Sequence, residues 1–232
     1  GLPRGAPESS VCPLLLAAAD AFSARIVGMV ANGFARVRVR DDELFQRLSQ
    51  LVFSMDATAF SAVGVSQLLH ALAVLNMYDE APELVWRVLS MAQRLPPHLF
   101  SAQAVANIGW ALAVFDIADD DELNAWYWPL VKRTSRHMQP VHFRQLHQLL
   151  LTCAHADCRP SHIDEVVLDG IRADGLKAYT EASAVFTSSL LQQEVARELR
   201  LLGHDVEEEW VHQGTGLSLD IYLPQLNLGI EV

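Results

Sequence analysis

The triplet FSA opens at Phe22, Phe60 and Phe100, 38 and 40 residues apart, and Phe143 follows 43 residues later. A repeat of this length restricts a chain to architectures that stack one supersecondary unit. The copies agree beyond the triplet. Eight residues after each Phe stand Val30, Leu68, Ile108 and Leu151; eleven after stand Gly33, Ala71, Ala111 and Ala154; thirteen after stand Ala35, Ala73, Ala113 and Ala156. Offsets of 5, 8, 12 and 15 share one helical face, filled by Val65, Leu68, Leu72 and Leu75, then by Val105, Ile108, Leu112 and Phe115. This face is predicted core, and counting from Phe143 puts His155 and Cys158 on it. The small residues at 11 and 13 lie beside it, where a neighbouring helix is expected to approach closely.

A second apolar run follows each first one, opened by acids: "DDELFQRLSQLV" from Asp41, "DEAPELVWRVLSMA" from Asp79 and "DDDELNAWYWPLV" from Asp119. Acids in a first turn favour the positive end of the helix dipole, so each repeat reads as a helix pair. Pro96, Pro97, Pro140 and Pro160 fall between elements, where a missing N–H breaks nothing. One pair cannot bury both apolar faces, and stacking closes the core. The expectation is a mainly α fold: a flexible lead over 1–13, then an α-solenoid of about four helix-hairpin repeats of period 38–43 over 14–178.

From about residue 181 the pattern changes. "SSLLQQEVARELRLLG" predicts a Ser-capped helix with Leu191, Val195, Leu199 and Leu202 on one face, ended by Gly203. "LSLDIYLP" and "LNLGIEV" predict two strands joined by a turn around Pro224, Gln225 and Asn227. The predicted unit is a helix followed by a hairpin.

Hydrophobic residues make up 51% of the chain, which excludes disorder, and no apolar run reaches the roughly 18 residues of a membrane-spanning helix. No membrane is expected among its partners. Three cysteines give no disulfide framework. The net charge of −11 opposes nucleic-acid binding in general, but its distribution matters. Residues 1–59 carry 6 basic and 6 acidic groups, 60–142 carry 5 and 8, and 143–232 carry 6 and 14.

The helix "QQEVARELRLLG", the strand "LSLDIYLP" and the ending "LGIEV" resemble the first half of a RAP domain, a small α/β module related to PD-(D/E)xK nucleases. "FSAQAVANIGWALAVF" is similar to the repeats of octotricopeptide-repeat and FAST-kinase-like proteins: Phe100, Asn107 and "WALA" at 110–113 match, and "HALA" at 70–73 matches in part. The resemblance implies an organellar RNA-binding protein, in a mitochondrion or a chloroplast, that lays RNA along a solenoid face and acts in RNA processing, stability, translation or ribosome structure. It makes 181–232 a RAP-like module, expected to be incomplete at its C-terminal end.

A PD-(D/E)xK site needs clustered carboxylates on Mg²⁺ and a lysine beside them. Glu194, Asp220 and Glu231 are the carboxylates that such a fold would gather. Only Val232 follows Glu231, the lysine is not in the sequence, and the resemblance implies an acid there instead; no catalytic residue is assigned. His142, His147, Cys153, His155, Cys158 and His162 have metal-ligand chemistry without a zinc spacing, so neither metal nor cofactor is expected.

RNA, as rRNA or an organellar transcript, and ribonucleoprotein neighbours are the expected partners. Offsets 3, 7, 10 and 14 form a second stripe on the first helices. It offers Gln67, His70 and Gln103 either to base edges or to packing, while Asn107 and Trp110 read as packing residues. Arg36, Arg38 and Arg40 near one helix junction, and Lys132, Arg133 and Arg136 near a helix end, are either phosphate contacts or solvated helix termini.

Overall fold

The computed structural model describes residue 15 and residues 18–183 and 188–232; the expected lead over 1–13 lies outside the described residues. The chain is mainly helical and ends in a small antiparallel sheet. Helices α1 Ala24–Arg36, α2 Asp42–Ser54, α3 Ala62–Val74, α4 Pro82–Arg94, α5 Ala102–Val114, α6 Asp121–Thr134, α7 Pro140–His155 and α8 Glu165–Ser183 share one core. Helix α9 Leu190–Leu201 and strands β1 Glu207–Val211, β2 Ser218–Leu223 and β3 Leu228–Ile230 make a second unit with its own small cluster of Ala196, Val206, Ile221 and Leu223. Because α8 runs to Ser183, the helical part extends past the expected boundary at 178.

The FSA triplet is a helix start. Ser23, Ser61 and Ser101 are the N-caps of α1, α3 and α5, their hydroxyls accepting from the N–H groups of Ile26 (3.5 Å), Gly64 (3.1 Å) and Ala104 (3.2 Å). The Phe before each cap sits at the position of a hydrophobic staple, whose partner place is held by Val27, Val65 and Val105, all fully buried. Each helix then ends in the same way. Arg38, Asn76, Asp116 and Asp157 take left-handed backbone (φ 53°, 49°, 55° and 53°). The next N–H bonds back over the last turn: Val39 to Phe34 O, Met77 to Leu72 O, Ile117 to Leu112 O and Cys158 to Cys153 O. This is the Schellman closure.

Phe143 does not occupy the fourth of these places. The N-cap of α7 is Gln139, so Met138 stands where Phe22, Phe60 and Phe100 stand, and Phe143 lies one turn inside the helix. The repeat spacing is therefore 38, 40 and 38 residues. Pro140 opens α7 as its first residue instead of closing what precedes it. In the corrected register Leu146, Leu150 and Cys153 fill the core places at 8, 12 and 15, and His155 is exposed at the helix end. Cys153 and Cys158 are the apolar contact of the Schellman closure, which accounts for this pair without a metal.

The helices α1, α3, α5, α7 and α8 pack side by side in one row, whereas α2, α4 and α6 touch one another much less. Among the small residues expected beside the core face, Ala35, Ala71, Ala73 and Ala111 are buried, but the crossing of α1 and α3 is made by two others. A Cβ on Gly28 would lie 3.3 Å from the Gly64 carbonyl oxygen and 3.4 Å from its Cα, so α1 and α3 cross backbone to backbone. Gly33, at the expected offset of 11, is exposed, with nothing within 4 Å of a built Cβ.

The C-terminal unit also differs. β1, β2 and β3 form an antiparallel sheet in that order, with Glu208 opposite Ile221 and Ile221 opposite Ile230. The hairpin is thus a three-stranded meander. The acidic run "EEEWV" carries no strand pattern, and β1 is held by pairing with β2 and by the Trp210 ring stacked 4.3 Å from Tyr222. On α9 the buried stripe is Gln192, Val195, Ala196 and Leu199; Leu191 and Leu202 are 60% and 75% exposed. Gln192 is buried because its amide donates to Glu209 Oε1 and to the Asp220 carbonyl, both at 2.9 Å.

Two glycines of α1 should respond oppositely to a side chain. Gly28→Val forces the α1–α3 crossing apart and should lower unfolding stability by about 2 kcal/mol. Gly33→Ala, in open space within a helix, should raise it by about 0.5–1 kcal/mol. Urea unfolding followed by circular dichroism measures both.

Candidate nucleic-acid interface

The second stripe of the first helices is linked from one helix to the next. The His70 ring of α3 packs on Trp110 of α5, centroids 5.0 Å apart and tilted by 41°. Between α5 and α7 the links are hydrogen bonds. Asn107 Oδ1 accepts from the side-chain amides of Gln103 (2.7 Å) and Gln145 (3.2 Å). His142 Nδ1 accepts from the Gln139 N–H at 3.0 Å, which puts its proton on Nε2, 3.0 Å from Gln103 Oε1. Gln145 and Gln148 belong to this stripe, at the offsets of Asn107 and Trp110 counted from Met138, and a count from Phe143 does not place them there. The signal available was Gln139–Pro140, a cap followed by a proline suited to a first turn.

Within the row, the four first helices are distinguished by what they lack, whereas α8 carries Glu165, Asp169, Asp174 and Glu181. Helices α1, α3, α5 and α7 contain no Asp or Glu; their charged residues are Arg25, Arg36 and Arg144. The 28 acids of the chain are placed elsewhere, and 14 of them fall in four stretches, residues 37–43, 75–83, 115–122 and 156–165. These stretches connect each first helix to its second and enter that second helix, where Asp41 and Asp120 cap α2 and α6 by accepting from Leu44 N (3.0 Å) and Leu123 N (2.8 Å). Capping and the helix dipole therefore draw the carboxylates to one edge, away from the first-helix row.

No protein-family model matches the chain, and no curated protein matches it. Among the described residues, no helix is long and apolar enough to cross a membrane.

The candidate phosphate ligands divide by what already holds them. Arg40 is bridged to Asp42 (2.7 Å) and Glu80 (2.9 Å), which raises its pKa, chiefly through the Asp42 hydrogen bond. Lys132 pairs with Asp164 at 2.7 Å, and Arg133 donates to the Phe100 carbonyl at 3.0 Å. Arg36, Arg38 and Arg136 are exposed and make no ion pair among the described residues. Gln67 is half-buried on the same stripe as His70. Arg36 and Arg38 lie at the end of α1, and Arg136 lies between α6 and α7, so the two basic groups do not form one patch.

The three carboxylates of the nuclease pattern are not gathered. Glu194 is exposed on the outer side of α9 beside Gln193 and Arg197, Glu231 is exposed, and Asp220 accepts from the Val232 N–H at 2.8 Å. Among the described residues, no group of three or more His, Cys, Asp or Glu is placed to hold a metal ion.

The stripe should weaken on acidification. Burial lowers the pKa of His70 and of His142 below 6.5. The unfolded chain then binds protons that the native chain refuses, so stability is full above about pH 6.5 and falls as pH drops below it. A proton on His142 Nδ1 would also oppose the Gln139 N–H. Urea midpoints at about pH 8 and about pH 5 should show this loss, and His142→Gln, which keeps an acceptor for that N–H, should reduce it.

Proposed function

We propose that the chain is an organellar RNA-binding protein, in a mitochondrion or a chloroplast, that holds single-stranded or ribosomal RNA against its first helices and acts in RNA processing, stability or translation. In this reading the helix pairs are octotricopeptide-like repeats of an α-solenoid. The unit of α9 and three strands is a RAP-like module that assists RNA contact or recruits a partner. The observation that carries the reading is the sorting of charge. In a chain of net charge −11, the four first helices α1, α3, α5 and α7 carry no Asp or Glu. A polyanion lying there meets amides, the His70 and Trp110 rings and the guanidinium groups of Arg25 and Arg36, groups that suit stacking and base-edge contact. Closer packing in this row than in the second-helix row supports a wall that curves toward the first helices.

A second reading, a structural subunit of a mitochondrial ribosome that stabilises rRNA, is favoured by a different observation. Arg40 and Lys132 are neutralised within the chain, and the acids line one edge. Basic neighbours would match that edge.

Binding to single-stranded RNA tests the first reading. With Arg25, Arg36 and Arg38 as phosphate ligands, log affinity should fall against log salt with a slope of about −2. Arg36→Ala and Arg38→Ala should each make the slope shallower by about 0.7. Trp110→Ala should weaken binding with no change in slope. An isolated chain with no measurable RNA affinity at low salt, recovered instead in a ribosome-sized particle, would replace the first reading with the second.

A further inference from the structure

Away from the first-helix row, the two outer helices α2 and α4 enclose a groove of about 650 Å³. It exists because the first helices meet at Gly28 and Gly64, while α2 and α4, carried on their outer side, diverge. Its lining includes the apolar side chains of Phe45, Phe53, Met77 and Leu84. Phe53, in the last turn of α2, is 49% exposed. The corresponding places on α4 and α6, twelve residues after the N-cap, are Gln93 and Lys132. Phe53 thus gives this groove an apolar group that the corresponding places on α4 and α6 do not have.

Charge selects the occupant. Four carboxylates, Asp42, Glu43, Glu80 and Glu83, border the groove against one guanidinium, Arg40, which already bridges Asp42 and Glu80. Glu43 and Glu83 are exposed and make no ion pair among the described residues. From Asp42 to Phe53 the groove follows about 16 Å of helix, enough for about three turns of a second helix laid along it.

We propose that this groove binds a basic amphipathic segment of a partner protein, with a bulky apolar side chain against Phe53 and lysines or arginines facing Glu43 and Glu83. Such a site has the form of a helix-in-groove interface: the aromatic anchor supplies affinity, and the acidic border supplies attraction and selects the sign of the partner. The site is on the opposite side of the array from the first-helix row and does not rest on the RNA reading.

The probe is a fluorescent synthetic peptide of lysine and leucine with leucines at helical spacing, compared with a scrambled peptide of the same composition and titrated against the full chain at physiological salt. The patterned peptide should bind at least ten-fold more tightly than the scrambled one. Glu43→Lys with Glu83→Lys should weaken it at least ten-fold, and Phe53→Ser several-fold, with the urea midpoint checked for each variant. Glu43→Gln with Glu83→Gln should give an intermediate loss and keeps the test intact if charge reversal disturbs folding. Equal binding of the two peptides, or affinity unchanged by all of these variants, would reduce the effect to diffuse attraction by an acidic protein and overturn the proposal. So would loss of single-stranded RNA binding in Phe53→Ser, which would assign the groove to RNA.

Discussion

Two helices can cross backbone to backbone only where neither carries a side chain at the crossing, and Gly28 against Gly64 meets that condition between α1 and α3. At the equivalent offsets further along the row stand small buried residues, Ser66 on α3 and Ala104 and Ala106 on α5. Much of the rest follows from this proximity. It brings the stripes of successive first helices within reach of each other, so that Trp110 meets His70 and Gln145 meets Asn107. It also makes the outer helices diverge, since helices hinged together on one side must open on the other. The inner row is therefore continuous, and the outer row is grooved.

The parts that were legible in the sequence are those in which one residue type performs one local task. Phe–Ser–Ala could be found three times because a staple, a cap and a first turn are local requirements, satisfied identically whatever lies beyond them. The fourth copy escaped because Met138–Gln139–Pro140 performs the same tasks with different residues, and the eye is drawn to Phe143 instead. Counting from Phe143 shifts the register by five residues, which takes Gln145 and Gln148 off the stripe and puts the exposed His155 in the core, while Cys158 does pack against it. Strand β1 was illegible for another reason. Three glutamates in β1 contradict strand propensity, and only the partner strand and the Trp210–Tyr222 stack, both distant in sequence, make a strand of them. Burial of Gln192 likewise depends on Glu209 and Asp220, seventeen and twenty-eight residues away.

Charge placement connects local rules to the functional reading. Acids are favoured at helix N-termini, and the second helices begin with them, which concentrates carboxylates at the edge where first and second helices join. The first helices begin instead with Ser or Gln caps that bring no charge. A capping preference alone thus produces an acidic edge and first helices without carboxylates, and the net charge of −11 says little about either. The same rule explains why the arginines at 36, 38 and 40 are not equivalent: Arg40 is held by Asp42, the first residue of α2, and by Glu80, just ahead of α4, whereas Arg36 on the first helix is not.

The C-terminal unit raises a separate question of what holds it in place. Its core is four buried residues under a three-stranded sheet, less than such a unit normally needs to be stable alone. Support comes from the turn between β1 and β2. Gly216 is buried against Leu176, Tyr179 and Thr180 of α8, where a Cβ would come within 3.1 Å of Leu176 and Thr180. Beside it the buried His147 of α7 directs Nε2 at the Thr215 carbonyl, 2.5 Å away, with its ring 5.3 Å from Tyr179. Residues of α7 and α8 thus form the seat for this turn. Its left-handed backbone at Gly216 (φ 71°) and the lack of a side chain are both needed to enter that seat. The orientation of the sheet is therefore set by the last helix pair, and displacing the turn from His147 would remove the support that the small core needs.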